Sequence, residues 1–526
     1  MRLERWAVVT TALVCALAGL FFGNTYVPRL PNHAGYFLVA VDDEVRAPPP
    51  PRPRHTVFIL VDGLRRDAAE TMSITGRLSA HGQCRISDQG AYTVSRPEYA
   101  LLSTGLEVDR TGVRNNELTT PIPAQSIWQI ARSHGLHVIG SSHLPWFGQL
   151  FPDGFDRFHA AVLHATDVFA APELTDVNLF HPLYVDEAGH QHGASSPEYA
   201  AAVARADGEI ARLLDRLDLD RDLVILTADH GHRAQGGHGG SQPGIRDVLL
   251  CFAGPDVART TERRPFDGRS TGPAMAFLLG LPFPRHMRAG DDGLDAIFEL
   301  PRAGAFSAEY IDDRRAAVTR FREQNRRVLE QWLGGSPGTW PRFYAREANA
   351  RLPRLALVFA AAAALVIAYA GALRRAFGTR AALVSTAWIA SAPLMLWLAH
   401  HAILGDLDYT VVNVKGRFIV RAFAAAFAAA VAGIAAHRLV IGRIDRLVRD
   451  MLVVVMLLLV ADAGHVLVYG WPIGFPVPSP AARYYPFFGS IALAGYALVV
   501  IGLALAPAPG RARLRAIFTS NRRTRS

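Results

Sequence analysis

Lysine is almost absent from this chain of 526 residues: of its 55 Lys and Arg, only Lys415 is a lysine. Together with the abundant alanine, this marks a genomic composition bias, bacterial in kind, and carries no functional information. Cysteine is scarce as well. Three cysteines without zinc-finger spacing exclude that class of metal module. Cys15 sits in an apolar run whose neighbours do not form a lipoprotein box. Cys84 and Cys251 are left open, either as one disulfide or as two buried thiols. Acid is missing from the C-terminal tail, where Arg511, Arg513, Arg515, Arg522, Arg523 and Arg525 have no carboxylate among them. Much of the formal charge of +9 lies at the ends of apolar runs, so it is not a nucleic-acid signature and no nucleic-acid partner is expected.

Long apolar runs are plentiful. Six of them, at 6–22, 355–373, 381–403, 418–436, 451–470 and 487–506, are each about long enough to cross a bilayer core of ~30 Å. The first starts with Arg2 and Arg5 and contains Ala16-Leu17-Ala18, a candidate cleavage site. Its apolar character continues to Phe22, which favours an uncleaved anchor. Arg374, Arg375 and Arg380 separate the second and third runs, and Arg438, Arg443, Arg446 and Arg449 the fourth and fifth. The alternate loops are poor in base. Under the positive-inside rule both termini are then cytoplasmic, in a multi-pass inner-membrane protein whose large domain is periplasmic or extracellular. The expected division is an anchor at 1–23, a Pro-rich linker at 24–54, a catalytic domain at 55–300, a helical connector at 301–350, five spans at 351–508 and a basic tail at 509–526.

Between the anchor and the second span, short runs rich in β-branched or aromatic residues occur at 56–61, 137–140, 179–185, 223–227 and 248–252. Helical patterns lie between them, as at 197–217. Alternating strands and helices predict an α/β fold, a mostly parallel sheet sandwiched by helices, followed here by an α-helical transmembrane bundle. Such sheets bind ligands beyond the carboxyl ends of their strands. Asp62, Asp186 and Asp229 each follow a predicted strand.

Five short segments then read as one site: Val61-Asp62-Gly63, Ser95-Arg96-Pro97, Asp186 to His190, Asp229-His230-Gly231 and Gly237-His238-Gly239. They supply three carboxylates, three imidazoles and one hydroxyl. That donor set suits two divalent, zinc-like ions with a nucleophile between them.

In order and spacing these segments resemble the alkaline phosphatase superfamily, in particular the type I phosphodiesterase/nucleotide pyrophosphatase group and the ethanolamine-phosphate transferases of GPI-anchor synthesis. The resemblance covers roughly residues 55 to 285. It implies one metal on Asp62, Ser95, Asp229 and His230, and a second on Asp186, His190 and His238. It also implies that Ser95 is the nucleophile that becomes phosphorylated. Asn116, with Asn115 as the alternative, aligns with a phosphate-binding asparagine; the plain alternative is a turn residue. His192 and His232 fall at non-ligand positions and are read as surface residues or as neighbours that support the ligands. Arg96 either neutralises a phosphate or forms a structural ion pair. His143 and Trp146 are read as packing residues, with the substrate pocket as their other reading. Sulfatases share the core, but their maturation signal is broken here by Tyr99. That argues for phosphorus over sulfur and zinc over calcium.

Five spans beyond a single anchor call for a reason. His400, His401, Arg417, Arg421, Asp462 and His465 fall in the outward halves of their spans, and ionisable residues there are functional candidates. They are read either as a lipid-headgroup pocket or as helix–helix hydrogen bonding. The resulting expectation is a membrane enzyme moving a phospho-alcohol such as phosphoethanolamine from a phospholipid to an extracytoplasmic acceptor. The alternatives are a hydrolase with water as acceptor, and a lipid transporter or scaffold with a vestigial site.

Overall fold

The computed structural model describes residues 2–25, 40–90, 92–113, 116, 118, 120–170, 173–240, 242–288, 293–333, 340–404, 415–441, 444–469 and 481–505. Eight strands form one sheet: β1 Thr56–Leu60, β2 Gly82–Asp88, β3 Val138–Ser142, β4 Arg157–Ala160, β5 Val177–His181, β6 Leu223–Thr227, β7 Asp247–Ala253 and β8 Pro265–Asp267. Their order is β4-β3-β5-β1-β6-β7-β2-β8. Only β7 runs against its neighbours β6 and β2; the remaining pairs are parallel.

β1 is buried at all five positions, as a central strand covered on both faces must be. Its side chains alternate between two cores. Val57 and Ile59 join one cluster, Phe58 and Leu60 the other. Helix Pro197–Leu214 covers the first face. It starts at Ser196, whose hydroxyl accepts from the Tyr199 N–H, with Pro197 in the first turn. Helix Thr271–Leu278, buried at every position, belongs to the second core.

Four features differ from the sequence expectation. The run 179–185 is not one strand: β5 ends at His181 and a helix, Tyr184–His192, begins three residues later. Strands β2, β4 and β8, which the sequence reading did not single out, complete the sheet. The stretch 24–54 is not a free spacer in its described part. Val41 N–H donates to Arg285 O at 2.7 Å, and Asp43 is buried between Arg314 and Arg320 at 2.8 and 3.0 Å. The domain also continues past residue 300. Helix Ala308–Leu333 puts Tyr310, Ala317, Val318 and Phe321 into the second core. The expected tail at 509–526 lies outside the described residues.

Cys84 and Cys251 face each other across β2 and β7 and form a disulfide. Among the described residues, six helices are long and apolar enough to cross a membrane: Glu4–Gly23, Asn349–Phe377, Thr379–Ile403, Ile419–Val440, Arg446–Val468 and Phe488–Leu505. Three of them are joined by Asp450, which accepts from Tyr369 Oη at 2.5 Å and pairs with His437 Nε2 at 2.9 Å. Asp462 is buried near Gly489, and the His400 ring meets Phe488 edge-on.

Candidate metal centre

β5, β1 and β6 lie side by side in the sheet, and the chain leaving each one carries an aspartate. Asp62 follows β1, Asp229 follows β6, and Asp186 lies in the first turn of the helix after β5. Gly63 permits the convergence. Its φ is +71°, and a Cβ there would come within 2.7 Å of the Asp186 Cα.

Asp62 and Asp229 are fully buried. Asp62 Oδ2 accepts from Tyr99 Oη at 2.5 Å and lies 3.0 Å from His181 Nε2, while Oδ1 has no hydrogen-bond partner. Asp229 Oδ1 accepts from the N–H groups of Gly63 and His230, at 3.1 and 3.0 Å, and its Oδ2 has no partner. His230 Nε2 is 3.6 Å from Asp62 Oδ1, 3.3 Å from Asp229 Oδ2 and 3.4 Å from Ser95 Oγ. Its Nδ1 donates to Gly231 O, which leaves Nε2 as the acceptor.

Ser95 is 3% exposed and opens helix Ser95–Thr104. An oxyanion there meets the positive end of the helix dipole. Asn116 Oδ1 accepts from the Arg96 N–H at 3.0 Å, leaving its amide nitrogen as a donor. Asn115 lies outside the described residues.

Around Asp186 the three imidazoles of His190, His232 and His238 gather. His238 Nδ1 donates to Thr93 O at 2.7 Å, and its Nε2 lies 3.0 Å from His190 Nε2. Asp186 Oδ1 is 2.8 Å from His232 Nε2, 3.4 Å from His190 Nε2 and 3.6 Å from His238 Nε2. His232, read from sequence as a non-ligand, is thus buried on Asp186. A Cβ at Gly189 would come within 2.4 Å of its ring. His192 is exposed. His143 is held between the Leu183 N–H and Thr166 O, consistent with packing.

Among the described residues, two compact groups of donor atoms result: Asp62, Asp229 and His230, and Asp186, His230, His232 and His238. Their electrostatics demand cations. Burial, then the charges of Asp62 and Asp186, pushes Asp229 well above the carboxylate range. Burial opposes ionisation of Asp186, yet His190, His232 and His238 hold it well below that range. Burial lowers His230 to about 4 and drives His238 down well below the ordinary value, so both rings are neutral donors at pH 7. Unbonded carboxylate oxygens and facing, unprotonated Nε2 atoms are what divalent ions would complete, so the residues fit such ions.

Sequence reasoning named Tyr99 only as the residue that breaks the sulfatase signal and did not name His181; both orient Asp62, Tyr99 from helix Ser95–Thr104 and His181 from the end of β5. It also missed Glu98, three residues after Ser95 and fully buried. Burial, then the charges of Asp229 and Asp88, raise it well above the carboxylate range. Burial lowers Arg96 to about 10.

The parallel sheet with its aspartates at the strand ends is similar in kind to that of the alkaline phosphatase superfamily, which the sequence motifs resemble. Residues 141–235 match the family model of type I phosphodiesterase / nucleotide pyrophosphatase, which spans Asp186, His190, Asp229 and His230. The chain is 26% identical over 275 residues to the catalytic subunit of mouse GPI ethanolamine phosphate transferase 3, covering 45% of this chain and 25% of that protein. It is 24% identical over 337 residues to GPI ethanolamine phosphate transferase 2 of Yarrowia lipolytica, covering 54% and 37%. The chain therefore spans about a quarter to a third of these relatives. Among solved structures it is similar to murine ectonucleotide pyrophosphatase / phosphodiesterase 5, at 12% identity, 47% of this chain, all of that chain and a TM-score of 0.40.

Proposed function

We propose that this protein is a membrane-bound phosphotransferase that moves a phospho-alcohol, phosphoethanolamine in the leading reading, from a phospholipid to an extracytoplasmic acceptor. The observation carrying it is the buried Ser95 hydroxyl at a helix N-terminus, 3.4 Å from His230 Nε2 and beside the unbonded carboxylate oxygens. Similarity to GPI ethanolamine phosphate transferases supports phosphoethanolamine as the group moved. The five later spans give a lipid donor a place to approach. The disulfide supports an oxidising, extracytoplasmic compartment for the domain.

In this reading Asp62, Asp229, His230 and Ser95 hold one ion, and Asp186, His190 and His238 the other, with His232 beside Asp186. Nitrogen and oxygen donors favour zinc. Bound there, the two ions supply positive charge that stabilises the Ser95 alkoxide and the phosphate oxygens. Ser95 Oγ attacks phosphorus, an O–P bond forms, and the diacylglycerol oxygen leaves and takes up a proton. An acceptor hydroxyl then attacks the phosphoserine from the opposite side, loses its proton and returns Ser95 to its hydroxyl form. Asn116 donates to a phosphate oxygen through its free amide. Tyr99 and His181 keep Asp62 oriented throughout. Positioning and charge carry most of the rate in such transfers.

Mass spectrometry of the purified protein with phosphatidylethanolamine and zinc tests this. A phosphoethanolamine adduct on Ser95, with diacylglycerol released and both lost in Ser95→Ala, is the expected result. Cleavage of an aryl phosphodiester that needs Ser95, without the lipid adduct, would instead favour water as acceptor, a reading the matched family model also supports. Biological activity that survives Ser95→Ala would favour the transporter or scaffold.

A further inference from the structure

Arg96 directly follows Ser95, and its side chain is 3% exposed. Two other buried arginines of the domain have carboxylates: Arg314 has Asp43 and Asp313, and Arg85 has Glu299. Arg96 has no carboxylate partner among the described residues. Its Nη2 donates to Gln149 Oε1 at 2.8 Å, and its guanidinium lies 4.5 Å from the Trp146 ring centroid. Its Nε and Nη1 are buried without any acceptor.

The environment fixes where that charge lies. The Trp146 ring is 6.1 Å from that of Tyr99, whose hydroxyl holds Asp62. The Arg96 backbone N–H is tied to Asn116. The guanidinium is therefore held on the side of the site that Trp146 and Gln149 form. At neutral pH it keeps its charge. Stacking on Trp146 and a neutral amide offset only part of the lost hydration. Two N–H groups still need oxygens, and phosphate presents oxygens in a geometry that guanidinium matches well.

We propose that Arg96 is a substrate-binding residue that takes an oxygen of an anionic phosphate group lying beside Ser95. The inference rests on the reading of Ser95 as the attacking residue. The phosphate is either the one being transferred or a second one on the same substrate.

Calorimetric titration of the full-length, metal-loaded protein with inorganic phosphate provides the test. Arg96→Gln is expected to weaken phosphate binding by about 10- to 100-fold, and Arg96→Lys by less. Metal content and the thermal midpoint should stay at the wild-type level in Arg96→Gln, which separates binding from a structural role. Unchanged phosphate affinity in that variant overturns the proposal. Should it not fold, Arg96→Lys decides alone, and wild-type affinity there overturns the proposal equally.

Two further arms identify the phosphate. A fall in kcat/KM for bis(p-nitrophenyl) phosphate, which has a single phosphate, assigns Arg96 to the transferred group. Weakened inhibition by ADP, with bis(p-nitrophenyl) phosphate turnover unchanged, assigns it to a second phosphate. If the wild-type protein cleaves no diester yet Arg96→Gln still weakens phosphate binding, the anion site stands and the transfer reading fails.

Discussion

Tyr99 donates its hydroxyl to Asp62 Oδ2 at 2.5 Å, from a ring stacked on Phe147 at 4.4 Å between centroids. Burial, then the charge of Asp62, raises the phenol, so it remains a donor at any working pH. Phenylalanine would keep the stacking and lose the hydroxyl's contacts with Asp62 and, at 2.9 Å, with His181 Nε2. Groups that orient a metal ligand typically contribute about 10- to 100-fold in metal affinity. Tyr99→Phe is expected to weaken metal binding by that order while the fold persists. Competition with a chromophoric chelator measures it; wild-type affinity in Tyr99→Phe would show that His181 alone suffices to hold Asp62.

Burial, and then the charges of Asp62 and Asp186, push Asp229 upward, and bound cations would offset both. Metal removal should therefore destabilise the domain. Metal at ~100 times its Kd adds about 2.7 kcal/mol to a protein that binds it only when folded. Chelation should then lower the thermal midpoint by roughly 5 to 10 °C for a domain of this size. Differential scanning calorimetry before and after chelation, with zinc restored as a control, reads the shift. An identical midpoint in all three samples would be incompatible with a resident metal.

How much of this was legible in the sequence follows from the kind of signal each part carries. The aspartates at strand ends and the Asp-His-Gly and Gly-His-Gly segments are local patterns, and their elements matched the α/β expectation. Tyr99, His181 and His232 act only through the fold, and no local spacing marks them. His232 looked peripheral because it stands two residues beyond a motif histidine. The turn at Gly231, whose N–H donates to Ile245 O at 2.7 Å, instead leads it inward to Asp186. Strand β2 carries Gln83, Arg85 and Ser87, so its hydrophobic alternation is too weak to read. All three are buried, Gln83 and Arg85 through hydrogen bonds to each other and to partners more than 170 residues away. The packing of residues 40–54 was hidden for the same reason, since it depends on the distant Arg314.

The Cys84–Cys251 bond joins residues 167 apart in sequence on the adjacent strands β2 and β7. Closing a loop that long in the unfolded chain typically adds about 2–4 kcal/mol. Replacing both cysteines by serine should lower the midpoint by several degrees, and a reducing agent should do the same to the wild-type protein alone. A wild-type midpoint indifferent to reductant would mean that the bond is not formed.

Asp222 is buried beside Arg54, which donates Nε–H to its Oδ1 at 2.9 Å, while the Asp218 N–H reaches Oδ2 at 2.8 Å. Burial works against the carboxylate, but these bonds and the Arg54 charge hold its pKa below the ordinary value. The folded state therefore binds this proton less readily than the unfolded state. The stabilisation is present above about pH 4, the unfolded value, and disappears as pH falls through the folded one. Asp222→Asn should lower the thermal midpoint at pH 7, and the gap from wild type should narrow as pH drops below 4. A gap that stays constant down to pH 3 would place the effect in packing rather than in charge.

Lys415 turns the composition bias into a probe of membrane orientation. It is the chain's only lysine and precedes the candidate span Ile419–Val440. The arginine-rich connections fall on the other side of that span, at Arg438 and Arg443. By the positive-inside rule Lys415 then faces the same compartment as the metal centre. A membrane-impermeant amine reagent applied to intact cells should therefore modify Lys415, located by peptide mass spectrometry, with Lys415→Arg as the control. Labelling that requires permeabilisation would reverse the orientation, put the Cys84–Cys251 pair in a reducing compartment and remove the extracytoplasmic acceptor from the proposed reaction.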